Sequence, residues 1–269
     1  MGCDSKFFPA EDDGYRCGLD EETRRVASSE LREDEAARAA AVQQLRDWVL
    51  RHPAIRKCRT DSVFLLRFLR SKKFSVPLAQ EMLERYLTVR QLYPLWFRGL
   101  SADEPVVREI LLAGYLVPLP ERDEFGRRVI LRCAGTYSHI FQNCLYFQKS
   151  TPMRHKSSTF LNLPHYASKF MEFFVTLLNE KLKSRIKLIS NTEELQKIVN
   201  IKILPKEYGG EMPLSEMIDK FLLKLEERRE AIKALDEMEM EVDQKTKFVT
   251  DLEDELAGVA GSFRQLEVD

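Results

Sequence analysis

No apolar run in this 269-residue chain approaches the roughly 18–20 residues that a membrane span needs. No signal-peptide core follows the start either. Cysteine is sparse, with five in all, and Cys3, Cys17, Cys58, Cys133 and Cys144 form no C-x-x-C pair and no Cys/His cluster. That gives zinc ligation little support and suits a reduced, cytoplasmic protein. The four histidines sit in no H-E-x-x-H or triad-like context, and neither a P-loop nor a G-x-G-x-x-G is present. An enzyme is therefore not expected, and neither a catalytic residue, a metal nor a cofactor is assigned. Net charge is also small, at −1. With no RNA- or DNA-reading motif, nucleic acid is not an expected partner.

What is present is a 44% hydrophobic chain, enough for a substantial core, with charge segregated along its length. Arg51 to Ser75 holds eight Lys/Arg and one Asp, and Thr151 to Ser190 holds seven Lys/Arg and two Glu. Glu211 to Asp269 holds eight Lys/Arg against seventeen Asp/Glu. Two basic islands followed by an acidic tail point to an anionic partner for the islands.

Residues 1–27 read as a disordered N-terminus, polar and without periodicity. Within it, Met1-Gly2-Cys3 offers acceptors for acyl chains, but Lys6 stands where the myristoylation pattern wants Ser or Thr. Residues 28–98 read as a helical lobe. A first helix is capped at Ser28 or Ser29 and closed by Pro53. A second starts at Asp61, with Phe64, Leu65, Phe68 and Leu69 on one face and Arg67, Arg70 and Lys73 on the other. A third runs from about Pro77 to Tyr93.

Residues 99–212 read as an α/β lobe. Gly114–Leu119 and Arg128–Cys133 are strands around a turn at Asp123-Glu124-Phe125-Gly126. Ser158–Leu163 is a further strand, Tyr166–Ser184 a helix, Lys187–Ile189 a last strand, and Asn191 a helix cap. Residues 213–269 read as one long helix. Ile218, Leu222, Leu225, Arg229 and Ile232 keep a 4-3 alternation that resumes from Leu235 to Val259. Weak self-association and docking back on the α/β lobe are both open for this stripe.

The run Asp61 to Phe74, the hairpin Asp123 to Val129, the strand Pro152 to Pro164, the segment Phe174 to Ile186, and the turn Ile203-Leu204-Pro205-Lys206-Glu207-Tyr208-Gly209-Gly210 occur in this order. In that order they resemble the CRAL-TRIO family of intracellular lipid carriers. The branch they resemble is that of the α-tocopherol transfer protein and cellular retinaldehyde-binding protein. The resemblance implies a helical lobe followed by an α/β lipid lobe. It implies a small hydrophobic ligand of the tocopherol or retinoid kind, and a gate helix near Tyr166 to Leu178 that opens at a membrane. It also implies a phosphoinositide site, whose matching positions are Lys72, Arg154, Lys156, Lys181 and Arg185. Read without the family, these five are either a multivalent anion site or ordinary solvated charges at helix ends. The implied location is cytoplasmic and peripheral on intracellular membranes.

The resemblance breaks between Cys133 and Thr151. Family members carry several tens of additional residues there, building a helix, a central strand and another helix of the lipid cavity. An incomplete α/β lobe is expected here, and with it a second reading: a form defective in carriage that acts as a phosphoinositide-binding or coiled-coil interaction module.

Overall fold

The structure is a computed structural model that describes residues 15–133, 151–176 and 178–242. Its elements are mixed α and β, with a helical N-terminal region, and they divide between two units. One holds the chain up to Gly99 and again from Lys233. The other holds, among the described residues, Leu100 to Cys133 and Met153 to Ile232, while Thr151 and Pro152 go with the first.

The helical unit is built from α1 (Glu21–Leu31), α2 (Glu35–Arg51), β1 (Ile55–Lys57), α3 (Ser62–Ser71), α4 (Val76–Leu92) and α5 (Pro94–Phe97). Asp61 caps α3 by accepting from the Phe64 N–H at 3.0 Å, as its position before the apolar run requires. Phe64, Leu65, Phe68 and Leu69 are all buried. The rings of Phe64, Phe68 and Tyr86 meet edge to face at centroid distances of 5.2 to 6.1 Å, an arrangement favoured by the ring quadrupoles. Two sequence expectations are corrected here. Helix α1 starts at Glu21, capped by Asp20, inside the stretch expected to be disordered. The helix expected from Ser28 to Arg51 is two helices, because Arg32 takes a left-handed φ of 63° and Asp34 caps the next one. The link between them is pinned: Arg70 of α3 donates to both oxygens of buried Glu33, at 2.9 and 2.7 Å.

The second unit contains α6 (Pro105–Leu112), the hairpin β2 (Leu116–Arg122) and β3 (Arg128–Arg132), and a parallel pair, β4 (Ser158–Leu161) with β5 (Ile186–Ile189). Asp123 shapes the hairpin turn. Its side chain accepts from the Phe125 and Arg127 N–H groups at 3.0 and 2.7 Å, and Gly126 supplies the left-handed φ of 70°. The parallel pair is joined by α7 (His165–Thr176) and α8 (Glu180–Lys183), since parallel strands need a crossover. The expected single helix over 166–184 is thus two, the second capped by Asn179. After α9 (Thr192–Ile198) come two 3-10 turns, Ile201–Ile203 and Lys206–Tyr208. There the double glycine is required. A Cβ on Gly210 would lie 1.7 Å from the Leu204 carbonyl oxygen, and Gly209 has φ +93°.

The expected single helix from 213 onward is also corrected. Helix α10 (Leu214–Glu227) ends at Arg228, α11 (Arg229–Asp236) follows, and the chain then extends into β6 (Glu239–Met240). Met217 and Ile218 of α10 bury against Val117 and Leu119 of β2, with Leu222 beside them. Arg229, expected on a self-pairing seam, pairs with Asp103 and with Glu226. For these residues the apolar stripe is therefore engaged within the chain. Its continuation to Val259, and the Met1-Gly2-Cys3 start, lie outside the described residues.

Candidate functional site

The five expected anion-site residues fall into two groups. Lys72 belongs to the helical unit, where it is the half-buried C-cap of α3 and gives its N–H to the last carbonyls of that helix. The other four belong to the second unit, on or beside the crossover.

There Arg185 is the organising residue. It lies in the turn after α8, not on the helix as its spacing from Lys181 predicts. Its N–H donates to the Leu182 carbonyl at 3.0 Å, and its carbonyl accepts from Ser158 N–H at 2.8 Å, which starts the parallel ladder. Its Nη1 reaches the His155 carbonyl at 3.5 Å. That contact brings Arg185 to the segment carrying Arg154 and Lys156. Both are exposed and precede β4 rather than lying in it. Lys181 is exposed on α8, one turn before Arg185. The structure thus gathers Arg154, Lys156 and Arg185 at the N-terminal ends of β4 and β5, with Lys181 on the adjoining helix.

A second feature of the same crossover is the surface of the segment expected to be a gate helix. A helix joining parallel strands ordinarily buries an apolar face against its sheet. Helix α7 has no buried residue. Tyr166, Phe170, Phe173 and Phe174, which share one face at helical spacing, are 79%, 53%, 63% and 41% exposed. Phe170 and Phe174 stack at 6.4 Å with nearly parallel planes. The signal was present as the spacing i, i+4, i+7, i+8. What spacing does not reveal is whether such a face is covered. Two strands alone, β4 and β5, form the parallel sheet among the described residues.

Among the described residues no cluster of His, Cys, Asp and Glu could hold a metal ion, and no helix is long and apolar enough to cross a membrane. The site offers an aromatic helix face and a basic edge. Such a surface suits amphipathic lipid, with an apolar body and an anionic head.

A CRAL/TRIO domain description matches residues 134–210, and a Pinta-like, UBA domain description matches residues 34–104. The chain is 27% identical to clavesin-1 of Pongo abelii over 254 residues, covering 75% of this chain and 72% of that protein. It is 27% identical to clavesin-1 of Xenopus laevis over 252 residues, with 74% and 76% covered. It is 26% identical to clavesin-2 of Homo sapiens over 254 residues, with 75% and 78% covered. The CRAL-TRIO resemblance read from the residues is thereby shown, and general lipid binding is the activity that it supports. The narrower tocopherol and retinaldehyde branch is not what these matches name. The 254 aligned positions hold only three quarters of this 269-residue chain, so about fifty positions of the first relative have no counterpart here.

Proposed function

We propose that the chain binds and transfers a small hydrophobic lipid, of the tocopherol or retinoid kind, as a peripheral protein at phosphoinositide-bearing intracellular membranes. The observation that carries this reading is the exposed aromatic face of α7 in the unit that also holds Arg154, Lys156, Lys181 and Arg185. Such a face is unfavourable in water and is relieved by contact with lipid. Nearby guanidinium and ammonium groups favour a multivalent phosphate. Helix α7 acts as the gate: its aromatic face meets the membrane while the basic edge holds a headgroup, and the cargo passes across that face.

A second reading is favoured by the roughly fifty positions without counterpart. In it the lobe no longer encloses a cargo, and the chain serves as a phosphoinositide-binding interaction module.

Native mass spectrometry after incubation with vesicles containing α-tocopherol or retinaldehyde separates the two. The carrier reading expects one retained lipid per chain. Absence of any retained lipid, with vesicle binding intact, selects the second. Absence of both retained lipid and vesicle binding contradicts both.

A further inference from the structure

The β2–β3 hairpin closes on a like-charged pair, Arg122 opposite Arg128. Residues directly opposed in an antiparallel pair project to the same face, and like charges there are destabilising. Among the described residues neither arginine hydrogen-bonds to a carboxylate that would offset this. Arg122 Nη1 donates to the Gly126 carbonyl at 2.7 Å. Arg128 Nη1 donates to the Leu119 and Pro120 carbonyls at 2.6 and 2.7 Å. The acid nearest in the turn, Asp123, is already committed to two backbone N–H groups and to Arg127 Nε at 2.6 Å. Burial and the neighbouring Arg122 both push the Arg128 pKa down, and Glu121 opposes them. Each guanidinium has five N–H donors, and the carbonyl contacts engage one nitrogen of each. They fix the two side chains along the strands, in a hairpin whose acids Glu121, Asp123 and Glu124 make no hydrogen bond to either guanidinium among the described residues. At the tip Phe125 is 65% exposed, and Arg127 lies over its ring at 4.4 Å.

An acidic peptide would satisfy the arginine pair but gives no reason for a large exposed ring at the apex. A lipid surface accounts for both, because headgroup phosphates accept forked guanidinium donors and the region below them takes an aromatic side chain. We propose that the hairpin tip is a second membrane contact, in which Arg122 and Arg128 together hold the phosphate of an anionic lipid and Phe125 enters the interface. This rests on the reading that the chain works at membranes, but on residues separate from the basic edge and from α7.

Co-sedimentation of the full chain with phosphatidylcholine vesicles, with and without phosphatidylserine, tests it. Each basic residue near an anionic surface strengthens binding by about a factor of five. The double variant Arg122→Gln, Arg128→Gln should therefore weaken partitioning to phosphatidylserine vesicles by about twenty-five-fold and leave pure phosphatidylcholine binding unchanged. Phe125→Ser should weaken partitioning to phosphatidylserine vesicles as well. The double variant should melt no lower than the parent, since a like-charge pair is relieved. Unchanged partitioning of both variants overturns the proposal, and so does retention on immobilised polyglutamate that only the arginine variant loses. A paired variant, Lys181→Ala with Arg185→Ala, separates the two ideas. Loss there, with the hairpin variants unaffected, removes the hairpin contact and keeps the proposed function. A parent chain that pellets with no anionic vesicle removes both.

Discussion

Met240 stands opposite Ile55 in a short antiparallel pairing, and both side chains are buried in the same core. The segment from Leu235 to Glu241 is fastened to the helical unit along its length. Arg90 donates to the Leu235 carbonyl at 3.0 Å and to Asp236 at 3.1 Å. Gln91 donates to the Met238 carbonyl at 2.9 Å, and Glu241 N–H donates to the Ala54 carbonyl at 2.8 Å. The helical unit is thus completed by residues far from it in sequence.

Met240→Ala should therefore destabilise the helical unit by about 3 kcal/mol, the usual cost of truncating a buried methionine. Urea unfolding of the full chain followed by tryptophan fluorescence measures this, because Trp48 packs against that core. A loss below about 0.5 kcal/mol, the range of ordinary surface changes, would show that the strap does not complete the core.

The pair between Glu33 and Arg70 gives a second expectation. Arg70→Met leaves the buried Glu33 carboxylate with Arg38 at 3.5 Å as its remaining ion partner. Orphaning a buried charge costs about 3 kcal/mol, whereas replacing both partners by apolar groups is often close to neutral. The double variant Glu33→Leu, Arg70→Met should thus be more stable than Arg70→Met alone. Equal or additive losses in thermal melts would show that no coupling exists.

Cys58 sets a pH dependence. Burial, assisted by Asp61, pushes its thiol from 9.0 up to about 12. The folded chain keeps the thiol protonated where the unfolded chain ionises it. The contribution is complete below pH 9 and is lost as pH rises towards 12, at up to about 1.4 kcal/mol per pH unit. The stability difference between the parent and Cys58→Ala should shrink across that window. A difference that stays constant with pH would contradict the assignment.

How legible these features were in the sequence depended on how local they are. Phe64, Leu65, Phe68 and Leu69 announce their buried face because helical spacing and burial coincide. Asp123 and Gly126 announce their turn because one side chain and one left-handed φ make it. The pairing of β1 with β6 was not legible, since two strands of three and two residues carry no alternation to read and their partnership is long-range. The break at Arg228 was hidden because neither glycine nor proline marks it, so the periodic stripe ran on through it. At the site, the four basic side chains of the second unit were proposed because their positions match those of the family, since residue type alone left ordinary solvated charges equally open. The placement of Arg185 was not readable, because spacing of four implies a shared helix face and the helix ends at Lys183. The aromatic residues of α7 were visible as a periodic set. Their exposure depends on what the rest of the lobe fails to cover, which no local pattern encodes.

In the proposed function, lipid surfaces are met by the aromatic face of α7 together with the basic edge. This contact is tested most directly by co-sedimentation with phosphatidylcholine vesicles containing a phosphatidylinositol phosphate. Three chains are compared: the parent, Phe170→Ser with Phe173→Ser, and Lys181→Ala with Arg185→Ala. All four positions are exposed or lie at a turn, so the fold should survive, as circular dichroism will verify. Both variants should bind at least about fivefold more weakly, the effect of roughly one lost contact of 1 kcal/mol. Only the basic variant should show a weaker dependence on salt than the parent. Equal sedimentation of all three chains would contradict the proposed contact.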